Sequence, residues 1–288
     1  MVRIKSGTTS VSISPQGAEI MAWSVEGRPL LWEARPDVWP ETAPLLFPVV
    51  GWTRNGEARV DGQTYPLALH GFARHRVFRL TAQETDRVQF ELTSDAATRA
   101  LYPFDFRFTA DYAAGAGSLS TAVTVANTSD RAMPYACGLH PGFRWPFAGG
   151  QPEDYRLVFA GPENPVVPKI APGGLIARET RRLPMERGVL PLSAALFSND
   201  ALCFLDAVSR SVRFEAPNGA AIEVESEDFS HFGVWCRPGN GYLCIEQWTG
   251  FGDPEDFTGD LFAKPSMRVL PPGATARHAA HYRYKAAP

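Results

Sequence analysis

Three short segments each set one titratable side chain among glycine, proline and aromatic residues. They are Leu69-His70-Gly71-Phe72-Ala73-Arg74, Cys137-Gly138-Leu139-His140-Pro141-Gly142-Phe143 and Cys244-Ile245-Glu246-Gln247-Trp248-Thr249-Gly250. Imidazoles and carboxylates are the side chains that most often move protons near neutral pH. Aromatic rings beside them suit a ligand with C–H faces and hydroxyls, such as a sugar. Glu246 follows Leu243-Cys244-Ile245 on a predicted strand, where a carboxylate is costly to bury without partners. Singly, each segment also has a plain structural reading: a histidine in a glycine turn, or an outward-facing strand glutamate. Arg74, Arg76 and Arg144 flank the two histidine segments. They read either as solvated or paired arginines or as a clamp for phosphate, whose oxygens a guanidinium fork matches.

The elements that must position these residues read as short strands. Turn signals recur along the chain, among them Asn55-Gly56, Asp61-Gly62, Pro172-Gly173-Gly174, Pro217-Asn218-Gly219 and Pro271-Pro272-Gly273. Between them lie alternating or β-branched apolar runs: Thr9 to Ile13, Val88 to Leu92, Leu119 to Val125, Val212 to Ala216, Ala221 to Val224 and Tyr242 to Ile245. This spacing predicts an all-β sandwich or barrel. One helix is predicted from about Ser94 to Tyr102, stopped by Pro103. No repeat or low-complexity segment is visible. The proline-rich stretch Pro162 to Pro172 reads as a surface loop, so residues 1–288 are expected to form a single domain.

Composition narrows the function. Lys and Arg number 28 against 31 Asp and Glu, a net charge of −3 that argues against a nucleic-acid footprint. No stretch of about 18 apolar residues suggests a membrane helix. The segment Met1-Val2-Arg3-Ile4-Lys5 lacks the apolar core of a signal peptide, so a cytoplasmic location is expected. The four cysteines, Cys137, Cys203, Cys236 and Cys244, form no CxxC pair and suggest neither a zinc site nor a disulfide framework.

Together, the order His-Gly, then His-Pro-Gly-Phe, then Ile-Glu-Gln-Trp resembles the aldose 1-epimerase (galactose mutarotase-like) family, in its LacX-like and hexose-6-phosphate 1-epimerase-like branches. Further matches are Gly17-Ala18-Glu19-Ile20, Leu46-Phe47-Pro48-Val49-Val50-Gly51, Val123 to Ser129 and Pro271-Pro272-Gly273, so the resemblance spans nearly the whole chain. It implies a galactose mutarotase-like β-supersandwich and an isomerase that exchanges α and β anomers of a hexose or hexose phosphate. Carried over by residue, Glu246 is the general base, His140 the general acid, and His70 a second acid or positioning group. Arg54, Arg74, Phe143 and Trp248 are the implied substrate-binding residues.

Mutarotation moves only protons, so no cofactor or metal is expected. The partner is a small sugar or sugar phosphate, with neither nucleic acid nor membrane. Two positions depart from the family pattern: Trp52 stands where an arginine is usual, and Gln247 where a proline is usual. Arg54, two residues after Trp52, would share its face if the segment were a strand. An Asp before the catalytic Glu has only Glu227 and Asp228 as candidates here. A non-catalytic carbohydrate-binding or sensing protein on the same fold is the alternative reading. A lyase or glycoside hydrolase fits less well, because hydrolysis usually needs two carboxylates across the scissile bond.

Overall fold

The computed structural model describes all 288 residues, Met1–Pro288. Named strands pair antiparallel throughout. Nine of them form the largest sheet, in the order Val189–Pro191, Arg156–Phe159, Ser211–Glu215, Ala221–Glu227, Thr275–Lys285, Ser118–Asn127, Phe106–Gly115, Arg87–Thr93 and Arg79–Gln83. A six-stranded sheet runs Leu202–Phe204, His231–Trp235, Tyr242–Trp248, Gly138–Leu139 and Leu45–Leu46, with Gly142–Arg144 also on Tyr242–Trp248. A four-stranded sheet occupies the N-terminus from Val2 to Pro29.

Alternation explains how the two large sheets meet. Phe106, Phe108, Ala110, Tyr112 and Ala114 point inward from one long strand, while Arg107, Thr109 and Asp111 point outward. Phe47, beside the six-stranded sheet, stacks on Phe108 at 4.6 Å between ring centres. Phe143 meets Tyr282 at 5.8 Å, and Phe159 meets Phe204 at 4.9 Å. Most of the buried apolar side chains belong to one continuous core. A smaller cluster of Leu46, Val50, Ala136, Cys203 and Trp248 lies apart from it. No helix is long and apolar enough to cross a membrane.

Two sequence expectations change. The helix shrinks to Ala96–Arg99, capped by Asp95, because Tyr102 and Phe104 are drawn into the aromatic core just beyond it. Tyr102 also donates to the Pro134 carbonyl at 2.7 Å. The stretch Pro162 to Pro172 is no plain loop: Val166–Ala171 pairs with Leu175–Arg182 in a hairpin turned at Gly173 and Gly174, both with positive φ.

Phe143 is a correction of a different kind. The resemblance implies that it binds substrate, yet its strand partner is Leu243 and its side chain is fully buried among core residues. Replacing Phe143 with alanine is expected to cost about 3–5 kcal/mol of stability, the usual penalty for truncating a core phenylalanine. Urea unfolding measures this, and an unaffected midpoint would contradict the core placement.

Candidate active site

Register brings the carboxylate and one imidazole together. Gly138 and Leu139 pair with Trp248 and Gln247, and Gly142 pairs with Cys244. His140 and Pro141 lie between these pairings, so His140 stands across from Glu246. Its Nε2 is 3.1 Å from Glu246 Oε2. All seven residues of Tyr242–Trp248 are buried, so the strand is covered on both faces.

Glu246 Oε2 also accepts the Trp248 indole N–H at 3.0 Å. That indole lies across two glycines. A Cβ on Gly233 would come within 2.1 Å of the ring, and one on Gly138 within 2.9 Å. On the opposite face of the strand, Gln247 donates to the Ile245 carbonyl and accepts from the Tyr282 hydroxyl, both at 2.8 Å. The backbone on either side of Glu246 is thus held by a side chain that never reaches the cleft.

His70 arrives by a different route. Its φ is +62°, and Gly71 follows at +70°, where a Cβ would stand 2.3 Å from the Phe47 carbonyl oxygen. The turn folds the His70 ring back so that Nδ1 accepts the Gly51 N–H at 3.0 Å. An amide can only donate, so the neutral ring carries its proton on Nε2. The His70 and His140 rings meet edge-to-face at 5.4 Å. Trp39 packs on His140 from another side, at 5.3 Å.

These groups line a cleft of about 400 Å³, with Trp52, Arg74, Trp235, Arg237 and Asp200 also on its walls. Burial dominates its electrostatics. It pushes the Glu246 carboxyl well above its ordinary range, against the pull of the Trp248 N–H. Burial likewise pushes His140 down to about 3. Burial, with His140 and Arg74 nearby, holds His70 well below its ordinary value. Both partners of the His140–Glu246 pair resist a lone charge, so the neutral arrangement is one proton shared between them.

The remaining candidates separate. Trp248 lines the cleft, but its N–H is occupied by Glu246. Arg74 lines the cleft and is paired: Nη1 is 3.0 Å from Glu41 Oε2, and Nη2 donates to the Leu69 carbonyl at 3.1 Å. Arg54 lies outside the cleft. Asn55 has φ +58° and the segment turns rather than running as a strand, so Arg54 does not follow Trp52 onto one face. Its guanidinium instead donates to the carbonyls of Phe257, at 2.9 Å, and Glu255. Arg144 donates to the Leu31 carbonyl, and Arg76 packs over Phe72. Glu227 pairs with Arg277 and His281, and Asp228 with Arg268 and His278, none of them cleft residues. Sequence reasoning missed Trp39, Glu41, Asp200, Trp235 and Arg237, which carry no local motif.

A large β-sandwich with a deep, tryptophan-lined cleft and a carboxylate–imidazole pair at its floor defines a sugar-site architecture. The chain belongs to the aldose 1-epimerase family, whose model matches residues 1–181 and therefore includes His70 and His140. Protein LacX of Lactococcus lactis is 29% identical over 283 residues, covering 94% of this chain and 95% of LacX. The structure of a galactose mutarotase related enzyme from Lactobacillus acidophilus superposes with a TM-score of 0.92 at 31% identity, covering 99% of this chain and 97% of that one. A galactose mutarotase-like protein from Lactobacillus casei gives the same TM-score at 24% identity, covering 99% and 100%. The β-supersandwich expectation stands.

The buried carboxyl has a consequence for stability. Its raised pKa means that the folded chain keeps a proton the unfolded chain loses above the ordinary carboxyl value. That contribution is complete at low pH and declines as pH rises. Glu246→Gln removes the penalty. Relative to wild type, the variant is expected to become progressively more stable as pH rises from 5 to 8. Urea unfolding at both pH values checks the trend, and a loss that grows with pH would refute the neutral pair.

Proposed function

We propose that the protein is an aldose 1-epimerase that opens and recloses a pyranose ring, exchanging α and β anomers with its own side chains. The observation that carries this is the buried 3.1 Å contact between His140 Nε2 and Glu246 Oε2 at the cleft floor. A pair holding one proton contains both an acid and a base. Burial leaves the pair's proton on Glu246 at rest; once it passes to His140 across the 3.1 Å contact, Glu246 takes the proton of the C1 hydroxyl while His140 protonates the ring oxygen. The C1–O5 bond breaks, C1 becomes a carbonyl, and the proton now sits on Glu246. Rotation about C1–C2 and the reverse transfers give the other anomer. The pair starts and finishes with one proton, so turnover demands no net charge in the buried floor.

His70 has a different role in this scheme. With Nδ1 engaged by Gly51, it offers a fixed Nε2–H donor to a sugar oxygen. Releasing that proton would leave an imidazolate, so it positions substrate rather than supplying protons. Anomer exchange measured by NMR tests the assignment. Glu246→Gln and His140→Asn are each expected to cut kcat by about 10²–10⁴-fold, the range for acid–base groups. His70→Asn is expected to act mainly on KM. A Glu246→Gln enzyme at near wild-type rate would overturn the roles. A wild type that binds sugars without speeding exchange would favour the non-catalytic reading.

The cleft favours a free sugar over a sugar phosphate. Arg74 is already engaged by Glu41 and the Leu69 carbonyl, and Arg237 donates to the Val38 carbonyl. Glu41, Asp200 and Glu246 line the same space. A phosphate dianion would have to displace Glu41 from Arg74 and leave that carboxylate unpaired. Wild-type kcat/KM for a hexose 6-phosphate is expected to fall at least about tenfold below that of the free hexose, a difference of about 1.4 kcal/mol. Arg74→Ala should lower both together. A phosphate preference lost selectively in Arg74→Ala would restore the clamp.

A further inference from the structure

Among the aromatic residues of the cleft, Trp52 differs from the rest. Trp39 and Trp248 are each 5% exposed, whereas Trp52 is 42% exposed and stands nearer the mouth. It is nonetheless firmly held. The tip of the hairpin Val166–Ala171 and Leu175–Arg182 presses Gly174 so closely on the indole that a Cβ there would lie 1.9 Å from Trp52 Cδ1. On the other side, the Trp52 carbonyl accepts the Asp253 N–H at 2.8 Å, and Gly252 packs against its backbone. Asp253 is itself anchored by buried Lys264 at 2.9 Å, and its carbonyl accepts from Ile176, on the same hairpin, at 2.9 Å. Turn, hairpin and loop therefore form one tied wall, and that wall presents a flat apolar ring to solvent.

A large apolar surface left exposed yet rigid, at the rim of a polar cleft, suits stacking against the C–H face of a sugar. Geometry says which sugar ring it meets. C1 and O5 of the reacting pyranose must reach His140 and Glu246, which are 7% and 2% exposed at the floor. The far side of that ring, around C4, then points toward the mouth. Anything attached there lies at the level of Trp52 rather than of the floor tryptophans.

We propose that Trp52 is a specificity-determining shelf for a second sugar ring, and that the substrates favoured by this chain are reducing disaccharides joined through the distal side of the reacting unit. This rests on the anomer-exchange reading above. An indole brings few hydrogen bonds to the hydroxyls of the reacting ring and offers instead a face to a neighbouring one.

The test pairs binding with catalysis. Calorimetric titration with cellobiose, maltose and lactose is compared with glucose, and NMR anomer exchange is followed on the same sugars. For at least one disaccharide, wild type is expected to bind at least tenfold more tightly than it binds glucose. Trp52→Ala should erase that preference, lowering the disaccharide-to-glucose ratio of kcat/KM at least tenfold. Trp52→Phe, which keeps an aromatic face and guards against simple misfolding, should retain part of it. A wild type with no disaccharide preference, or a ratio unchanged in Trp52→Ala, overturns the shelf. Tight disaccharide binding that depends on Trp52 but brings no faster exchange would uphold the shelf and sink the catalytic reading. Fast exchange without preference would do the reverse.

Discussion

A carboxylate withdrawn from water must find partners or hold its proton, and most of what surrounds Glu246 follows from that requirement. His140 meets it across the strand register, and the Trp248 indole meets it from two residues along the same strand. The indole can lie there only because Gly138 and Gly233 present bare backbone beneath it. The glycines flanking these motifs are therefore part of the electrostatics of the floor: they admit the donor that holds the acid.

The second histidine shows what positioning costs. A non-glycine residue at φ +62° carries about 1–3 kcal/mol of local strain. The fold absorbs it through the His70 and Gly51 backbones, which bond each other, and through Gly71, which passes against Phe47 where no side chain would fit. The return is an imidazole whose tautomer is dictated by a backbone amide. Strain is thus spent where the fold sets a defined hydrogen-bond donor facing the cleft.

Much of this was legible in the residues. Strand periodicity and turn residues give the all-β architecture, and the three motifs give His70, His140 and Glu246, because each sits where glycine or proline constrains the backbone. Arg54 and Phe143 mislead for separate reasons. Arg54 shares the face of Trp52 only on a strand, and Asn55 turns the chain. Phe143 is three residues beyond His140 but returns to pairing with Leu243, which sends its ring into the core. Trp39, Asp200 and Arg237 carry no signal, since their place in the cleft is set by long-range packing rather than by any local pattern. The contact between His140 and Glu246 is likewise a matter of register across about a hundred residues of chain, which no single segment encodes.

Gln247 stiffens the central strand in a different way from a proline. A proline restrains its backbone through its own ring, a covalent and purely local device. A glutamine leaves the backbone free and borrows its rigidity, here from the carbonyl of Ile245 and from the hydroxyl of Tyr282 on the C-terminal strand Thr275–Lys285. The stiffness of the strand that carries Glu246 is thus a long-distance property, owned jointly with the opposite sheet. Through that hydroxyl the two sheets of the sandwich work as one mechanical unit.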